Sequence, residues 1–149
     1  MNQNLKGKTY FEQISWGIWI WFFVAILCTS IYLAIWAPLG TTPALAVTLL
    51  SIIGFYYLSL KMQTTTYIQD NYLYVNQAKI DLKYLKKAKA LNESEFKKVI
   101  GTEADPAAFL ATNFWVKTAV KIEVRDKNDP TPYWLISSRR ADELAKKLS

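Results

Sequence analysis

ISWGIWIWFFVAILCTSIYLAIW, residues 14–36, runs for 23 residues without a charged side chain. At 1.5 Å per residue such a run makes a helix of about 34 Å, enough to cross a hydrocarbon core of about 30 Å. It is too long for the apolar part of a signal peptide, and a second apolar run follows at 44–60. Ala37-Pro38-Leu39-Gly40-Thr41-Thr42-Pro43 separates the two. Two prolines and a glycine so close together predict a turn over 37–43. The reading is a two-helix membrane hairpin, with spans at 14–36 and 44–60.

Charge is divided along the chain in the same way. No charged residue lies between Glu12 and Lys61, while residues 61–149 hold 16 of the 18 Lys and Arg and 11 of the 12 Asp and Glu. Lys6 and Lys8 precede the first span, Lys61 follows the second, and the turn between them carries no charge. The positive-inside rule places both termini in the cytoplasm of a cell (plasma) membrane protein. Residues 1–13 become a short cytoplasmic segment, 37–43 an external turn, and 61–149 a cytoplasmic domain. Tyr10, Phe11 and Trp16 are expected at the inner edge of span one, Trp36 at its outer edge, and Phe55, Tyr56 and Tyr57 at the inner end of span two. Trp19 and Trp21 fall deeper than an aromatic belt explains.

Neither span contains Asp, Glu, Lys or Arg, the groups that ion pathways and proton relays ordinarily need. A pump or channel built from this hairpin alone is not expected. Gly17, Ala25, Ser30, Ala34, Ala46, Ser51 and Gly54 permit close helix approach, either within the hairpin or in a homo-oligomer. The chain has no histidine, and its one cysteine, Cys28, lies in the first span. There is no metal-ligand spacing, phosphate-cradling glycine loop or nucleophile elbow. The expectation is a protein with no catalytic residues, no metal and no cofactor.

The domain reads as β-rich. Thr64–Gln69 and Tyr72–Asn76 flank Asp70-Asn71 as a hairpin, and Ile80–Lys83 alternates apolar and polar residues. Residues 85–91, LKKAKAL, fit a strand or a helical turn equally well. Asn92 with Glu95 forms a capping-box pattern before Phe96, Val99 and Ile100, and Gly101 stands where that helix would end. Asp105–Phe109 is expected to be a helical turn or loop. Val116–Val124 has the period-two alternation of a half-buried strand. Residues 126–132 read as a turn, Tyr133–Ser137 as a strand, and Ala141–Leu148 as an amphipathic helix. Strands followed by one C-terminal helix predict a small α+β domain, an antiparallel β-barrel or sandwich with a helical plug. The pleckstrin-homology-like fold has this order.

Three stretches carry a family likeness: Ala104-Asp105-Pro106, residues 114–124 (FWVKTAVKIEV), and residues 129–140 (DPTPYWLISSRR). With the two-span start they resemble a family of actinobacterial two-span membrane proteins of unknown function, domain of unknown function 3093. The run Thr131-Pro132-Tyr133-Trp134, with Ser137 and Arg139, is its specific part. Ala141 stands where that family usually has proline, and lysine and asparagine replace its arginine and alanine. The resemblance implies architecture and no activity.

Two basic groups are candidate binding residues. Lys83, Lys86, Lys87 and Lys89 form one cluster, in which Lys83, Lys87 and Lys89 share parity on an extended strand. Beside a membrane this edge would attract anionic headgroups at roughly 1 kcal/mol per well-placed lysine, or would simply protect an edge strand. Arg139 and Arg140 would hold an acidic partner or a phosphate, or else pair with Asp142 or Glu143. The expected partners are membrane lipids and an unidentified protein, and no nucleic acid is expected. The function expected is that of a membrane-anchored, non-enzymatic interaction module. The alternative is an accessory subunit assembled into a larger complex through its hairpin.

Overall fold

The computed structural model describes residues 8–125 and 130–149. The chain divides into two compact units. One is a pair of helices, α1 (Ile18–Leu39) and α2 (Thr41–Lys61). The other is a domain of eight strands and two short helices, assembled from both sides of that pair in the sequence.

The helices are 22 and 21 residues long, and both are long and apolar enough to span a membrane. Their bounds differ from the expected 14–36 and 44–60. The external turn expected over 37–43 shrinks to Gly40 alone, whose φ of 82° and ψ of −174° suit only glycine. The prolines do not break the helices, because each sits near an end. Pro38 lies in the last turn of α1, and Pro43 lies in the first turn of α2, where its missing N–H has no helical partner to lose. Because α1 begins at Ile18, four residues later than the expected span, Trp19 and Trp21 belong to its first turn. Trp21 packs against Trp16, with ring centroids 5.7 Å apart. Val24 and Cys28 of α1 and Ala44 and Ser59 of α2 are buried in the pair.

The largest correction concerns residues 1–13 and the boundary at 61. Lys8–Ile14 is not a lead-in separate from the domain but its strand β1, and it pairs antiparallel with β2 (Thr64–Gln69) from Ile14 opposite Thr64 to Lys8 opposite Gln69. Tyr10 is therefore a core residue of the domain, 3% exposed, and not a belt aromatic. Its segment alternates as a strand should, with Tyr10, Glu12 and Ile14 buried, but adjoins the apolar run and merges into it when read by hydropathy.

The first sheet runs β1-β2-β3-β4, with β3 at Tyr72–Val75 and β4 at Ala78–Asp81. Its β2–β3 turn is the expected Asp70-Asn71, both at positive φ (50° and 66°) as a type I′ hairpin turn requires. The third β-prone piece, expected at 80–83, ends at Asp81. Asp81 accepts a hydrogen bond from the Lys83 N–H and so opens a 3-10 turn over Leu82–Tyr84.

The second sheet has the order β5-β7-β8-β6. Residues 85–91, open between strand and helix in the sequence, form edge strand β5 (Leu85–Leu91). Strand β7 covers Ala119–Val124, shorter than the expected 116–124, and β8 covers Tyr133–Ser137. Residues 105–108 form the expected turn, but its last expected residue, Phe109, opens a short strand, β6 (Phe109–Ala111), that pairs parallel to β8. The turn expected over 126–132 lies mostly outside the described residues.

Every residue of β8 is buried because both faces of its sheet are covered. On one face Val120, Ile122, Trp134 and Ile136 meet Leu73, Val75 and Ile80 of the first sheet and Leu144 and Ala145 of α4 (Ala141–Leu148). On the other, Ala119, Tyr133 and Leu135 meet Phe96 and Val99 of α3 (Glu93–Ile100). Helix α3 starts at the expected capping box, with Glu95 N–H donating to Asn92 Oδ1 at 3.0 Å and Asn92 N–H donating to Glu95 Oε2 at 3.2 Å.

Two glycine substitutions should move stability in opposite directions. Gly40→Ala forces a side chain into the left-handed region and should destabilise the helical pair by about 1–3 kcal/mol. Gly54, inside α2 with open space where a Cβ would stand, should tolerate alanine and gain up to about 1 kcal/mol. Thermal unfolding of both variants in detergent checks the signs.

Candidate functional site

The register sorts the six basic candidates into separate places. Leu85 stands opposite Val124 and Ala88 opposite Ile122, so β5 carries one extra residue there. This bulge sets Lys86 and Lys87 against Glu123; Lys87 and Lys89 keep their shared side, and Lys83 does not join them. Lys83 leaves the strand altogether and pairs with Asp81 at 3.0 Å in the 3-10 turn, with its ammonium 4.8 Å from the centre of the Tyr84 ring. Hydrogen bonds from the Lys83 backbone and side chain hold the Asp81 carboxyl below its ordinary value.

Lys86 lies 4.0 Å from Glu123, and Lys89 pairs with Glu95 at 2.6 Å. The Lys89 bond holds the Glu95 carboxyl below its ordinary range. Lys87 and Lys89 line a cleft of about 370 Å³ together with Glu95, Lys98, Glu103, Lys121 and Glu123. Its four lysines face three glutamates, so the cleft presents mixed charge and not a uniform anion site. The lysines on β5 do lie on an edge strand, where exposed charge discourages edge-to-edge pairing.

Arg139 and Arg140 join a constellation that no local pattern announces. Glu12 on β1 is 7% exposed. Its Oε2 accepts from Tyr10 Oη at 2.6 Å and from Ser138 Oγ at 2.6 Å. Its Oε1 accepts from the Arg139 N–H at 2.9 Å. The Arg140 N–H donates to Ser138 Oγ at 3.0 Å, and the Arg140 guanidinium donates to the Phe11 carbonyl at 2.5 Å and lies 5.0 Å from the centre of the Tyr10 ring. Arg140 also makes the expected pair with Glu143, at 3.3 Å. A buried carboxylate taking three donors is a strong tie, because charge-assisted bonds are short and their loss strands buried polar groups. Here the tie fastens the N-terminal strand to the junction between β8 and α4. The Arg139 N–H and both the N–H and guanidinium of Arg140 thus serve internal structure.

The first and third of the family-like stretches meet in the same way. Tyr133 Oη accepts from the Asp105 N–H at 3.2 Å, and Ser137 Oγ accepts from the Asn113 N–H at 2.9 Å. Asp105 Oδ1 in turn accepts from the Ala107 N–H, the turn role expected of an Asp before proline. Tyr133, Trp134, Ser137 and Ser138 are all buried. The specific part of the resemblance therefore marks a core strand that pins two loops. Among the described residues, no group of three or more His, Cys, Asp and Glu is arranged to hold a metal ion.

What geometry and sequence define is a two-sheet domain with two long apolar helices inserted between its first two strands. The family comparison agrees: the chain belongs to the family described as Protein of unknown function (DUF3093), whose model matches residues 9–148. That match begins inside β1 and ends at the last residue of α4, so it takes in both parts of the divided domain. No curated protein and no solved structure gives a significant match.

The knot around Glu12 predicts an alkaline limit to stability. Burial, reinforced by the hydrogen bond to Glu12, raises the Tyr10 hydroxyl well above its ordinary value of 10.0. The folded state then keeps a proton that the unfolded state releases. Stability from this group is complete below pH 10 and falls above it by about 1.4 kcal/mol per pH unit. Denaturant titrations of the wild type and Tyr10→Phe between pH 9 and 11.5 should show a shallower decline for the variant.

Proposed function

We propose that this is a non-enzymatic integral membrane protein of the cell membrane, anchored by α1 and α2, with both termini in the cytoplasm. Its divided domain is an interaction module at the inner surface, binding a protein partner or anionic lipid. The observation that carries the anchor is the outward-facing apolar surface of the helical pair. Ile18 is 78% exposed, Trp19 81% and Leu50 68%, and only about a tenth of each apolar window is buried. The core helix of a water-soluble protein would cover such side chains, whereas hydrocarbon accommodates them. Trp19 and Trp21, in the first helical turn, then occupy the headgroup level where indoles are favoured. Lys61 at the end of α2 suits the cytoplasmic side.

The domain itself supports an adaptor role. We read it as pleckstrin-homology-like on element order: two packed sheets with a C-terminal helix in their shared core, and the parallel strand β6 as a departure. The linkers Ser15-Trp16-Gly17 and Met62-Gln63 are short, which keeps the module beside the surface that holds its anchor.

A second reading, an accessory subunit that assembles through the hairpin, is supported by one feature of the helical pair. An apolar groove of about 460 Å³ runs along it, lined by Val24, Cys28, Tyr32, Thr48 and Ile52 among others. Such a groove suits a further helix from a partner or a second copy.

Cysteine accessibility tests the topology. In a Cys28→Ala background, Thr41→Cys should react with a membrane-impermeant maleimide only from outside intact cells. Glu103→Cys should react only after the inner face is opened. Labelling of position 103 in intact cells would reverse the orientation.

A further inference from the structure

The domain has an exposed aromatic loop at the end from which the helices leave. Phe114 is 82% exposed, the most exposed large apolar side chain described in the chain. It makes an edge-on contact with Trp115, with ring centroids 4.8 Å apart at 86°. With Ile100, itself 42% exposed, Phe114 lines a mainly apolar cleft of about 550 Å³ between α3 and residues 112–117. Lys97 and Lys117 border the cleft, and both pair with the single carboxylate of Glu93, at 2.9 Å and 3.3 Å, leaving a positive excess.

Contacts inside the domain fix where this loop stands. The Asn113 N–H donates to Ser137 Oγ, and Thr118 Oγ1 donates to the Ser138 carbonyl at 2.6 Å, so residues 113–118 wrap the C-terminal end of β8. Ser138 bonds Glu12, and Glu12 is two residues before Ile14, where β1 ends opposite the start of β2. The aromatic loop therefore shares one end of the domain with the two strand ends that lead into α1 and α2. By the same register Leu91 of β5 lies toward that end, through Ala119 to Ser137, while Leu85 lies toward the other, beside Val124. Lys86 and Lys87, next to Leu85, stand at the opposite end of the domain from those strand ends.

We infer that Phe114, braced by Trp115 and flanked by Lys97 and Lys117, is a second membrane contact that dips into the headgroup region of the anionic leaflet beside the anchor. This rests on the membrane reading above. An aromatic with neighbouring lysines is the chemistry that enters this layer: the ring leaves water for the acyl boundary, and the ammonium groups meet lipid phosphates. Lys86 and Lys87, two of the lysines expected from the sequence to meet lipid, lie at the other end of β5 from Leu91.

The test uses the full chain in nanodiscs containing phosphatidylserine. Three single-cysteine proteins in a Cys28→Ala background, Phe114→Cys, Leu50→Cys and Lys87→Cys, are each labelled with an environment-sensitive fluorophore. Iodide should quench the label at 114 about fivefold less than that at 87, as burial about 5–10 Å into the headgroup boundary requires, and spin-labelled lipid should quench 114 and 50 but not 87. If 50 is quenched by lipid while 114 is as open to iodide as 87, the inference fails and the anchor reading stands. Shielding of 114 from both quenchers would mean contact with protein and would also overturn it. A label at 50 that is open to iodide would remove the membrane reading itself.

Discussion

The pairing of β1 with β2 joins strands separated in the sequence by the whole of Ser15–Gln63. As a flexible loop that insertion would be roughly four doublings longer than a tight hairpin turn, adding about 2–3 kcal/mol to the cost of closing the ladder. A folded helical pair changes this balance. It leaves at Ile18 and returns at Lys61, so the ladder closes over an ordered element and not over a coil. The domain and the helical pair are thus coupled through two strand ends, although each has its own core.

The Glu12 knot locks that ladder from the other side. Without it β1 would be an edge strand held only by β2. With Tyr10, Ser138 and Arg139 bonded to one buried carboxylate, the first strand is tied to the last strand and the last helix. Burying a carboxylate is unfavourable unless its lone pairs are occupied, and here three short bonds occupy them. The N-terminal strand, the family-like β8 and α4 consequently form one cooperative unit.

What could be read directly from the sequence was local. Asn92 and Glu95 are three residues apart and announce α3; Asp70-Asn71 announces its own hairpin; Ala141, Leu144, Ala145 and Leu148 announce α4 by spacing alone. The length and apolarity of the two helices were equally plain. The features that escaped depend on distant partners. Tyr10, Glu12 and Ile14 alternate, yet with their partners fifty residues on they look like the approach to an apolar span. Phe109–Ala111 is a strand only because Trp134–Ile136 lies beside it. The bulge at Lys86–Lys87 is invisible without β7, and the 3-10 turn that takes Lys83 out of the strand depends on Asp81 accepting from its N–H. Glu12 and Ser138 carry no motif, and their meeting was not legible at all. The exposed Phe114 followed a pattern-poor segment, where no periodicity separates a core aromatic from a surface one.

Membership of a family of unknown function fixes the divided architecture as a property to explain, since the matched region begins inside β1. The central claim is that Lys8–Ile14 is an integral strand of the domain and that the helices are an insertion. Excising Ser15–Gln63 and joining Ile14 to Thr64 by a short glycine-rich turn tests it most directly, with hydrogen exchange as the readout. The account predicts a water-soluble protein that unfolds cooperatively, with the amides of Tyr10–Gln13 protected as strongly as those of β7, and a fragment of residues 64–149 that lacks this cooperativity. A fragment 64–149 that folds with equal stability, or a joined protein whose first strand exchanges freely, would contradict it.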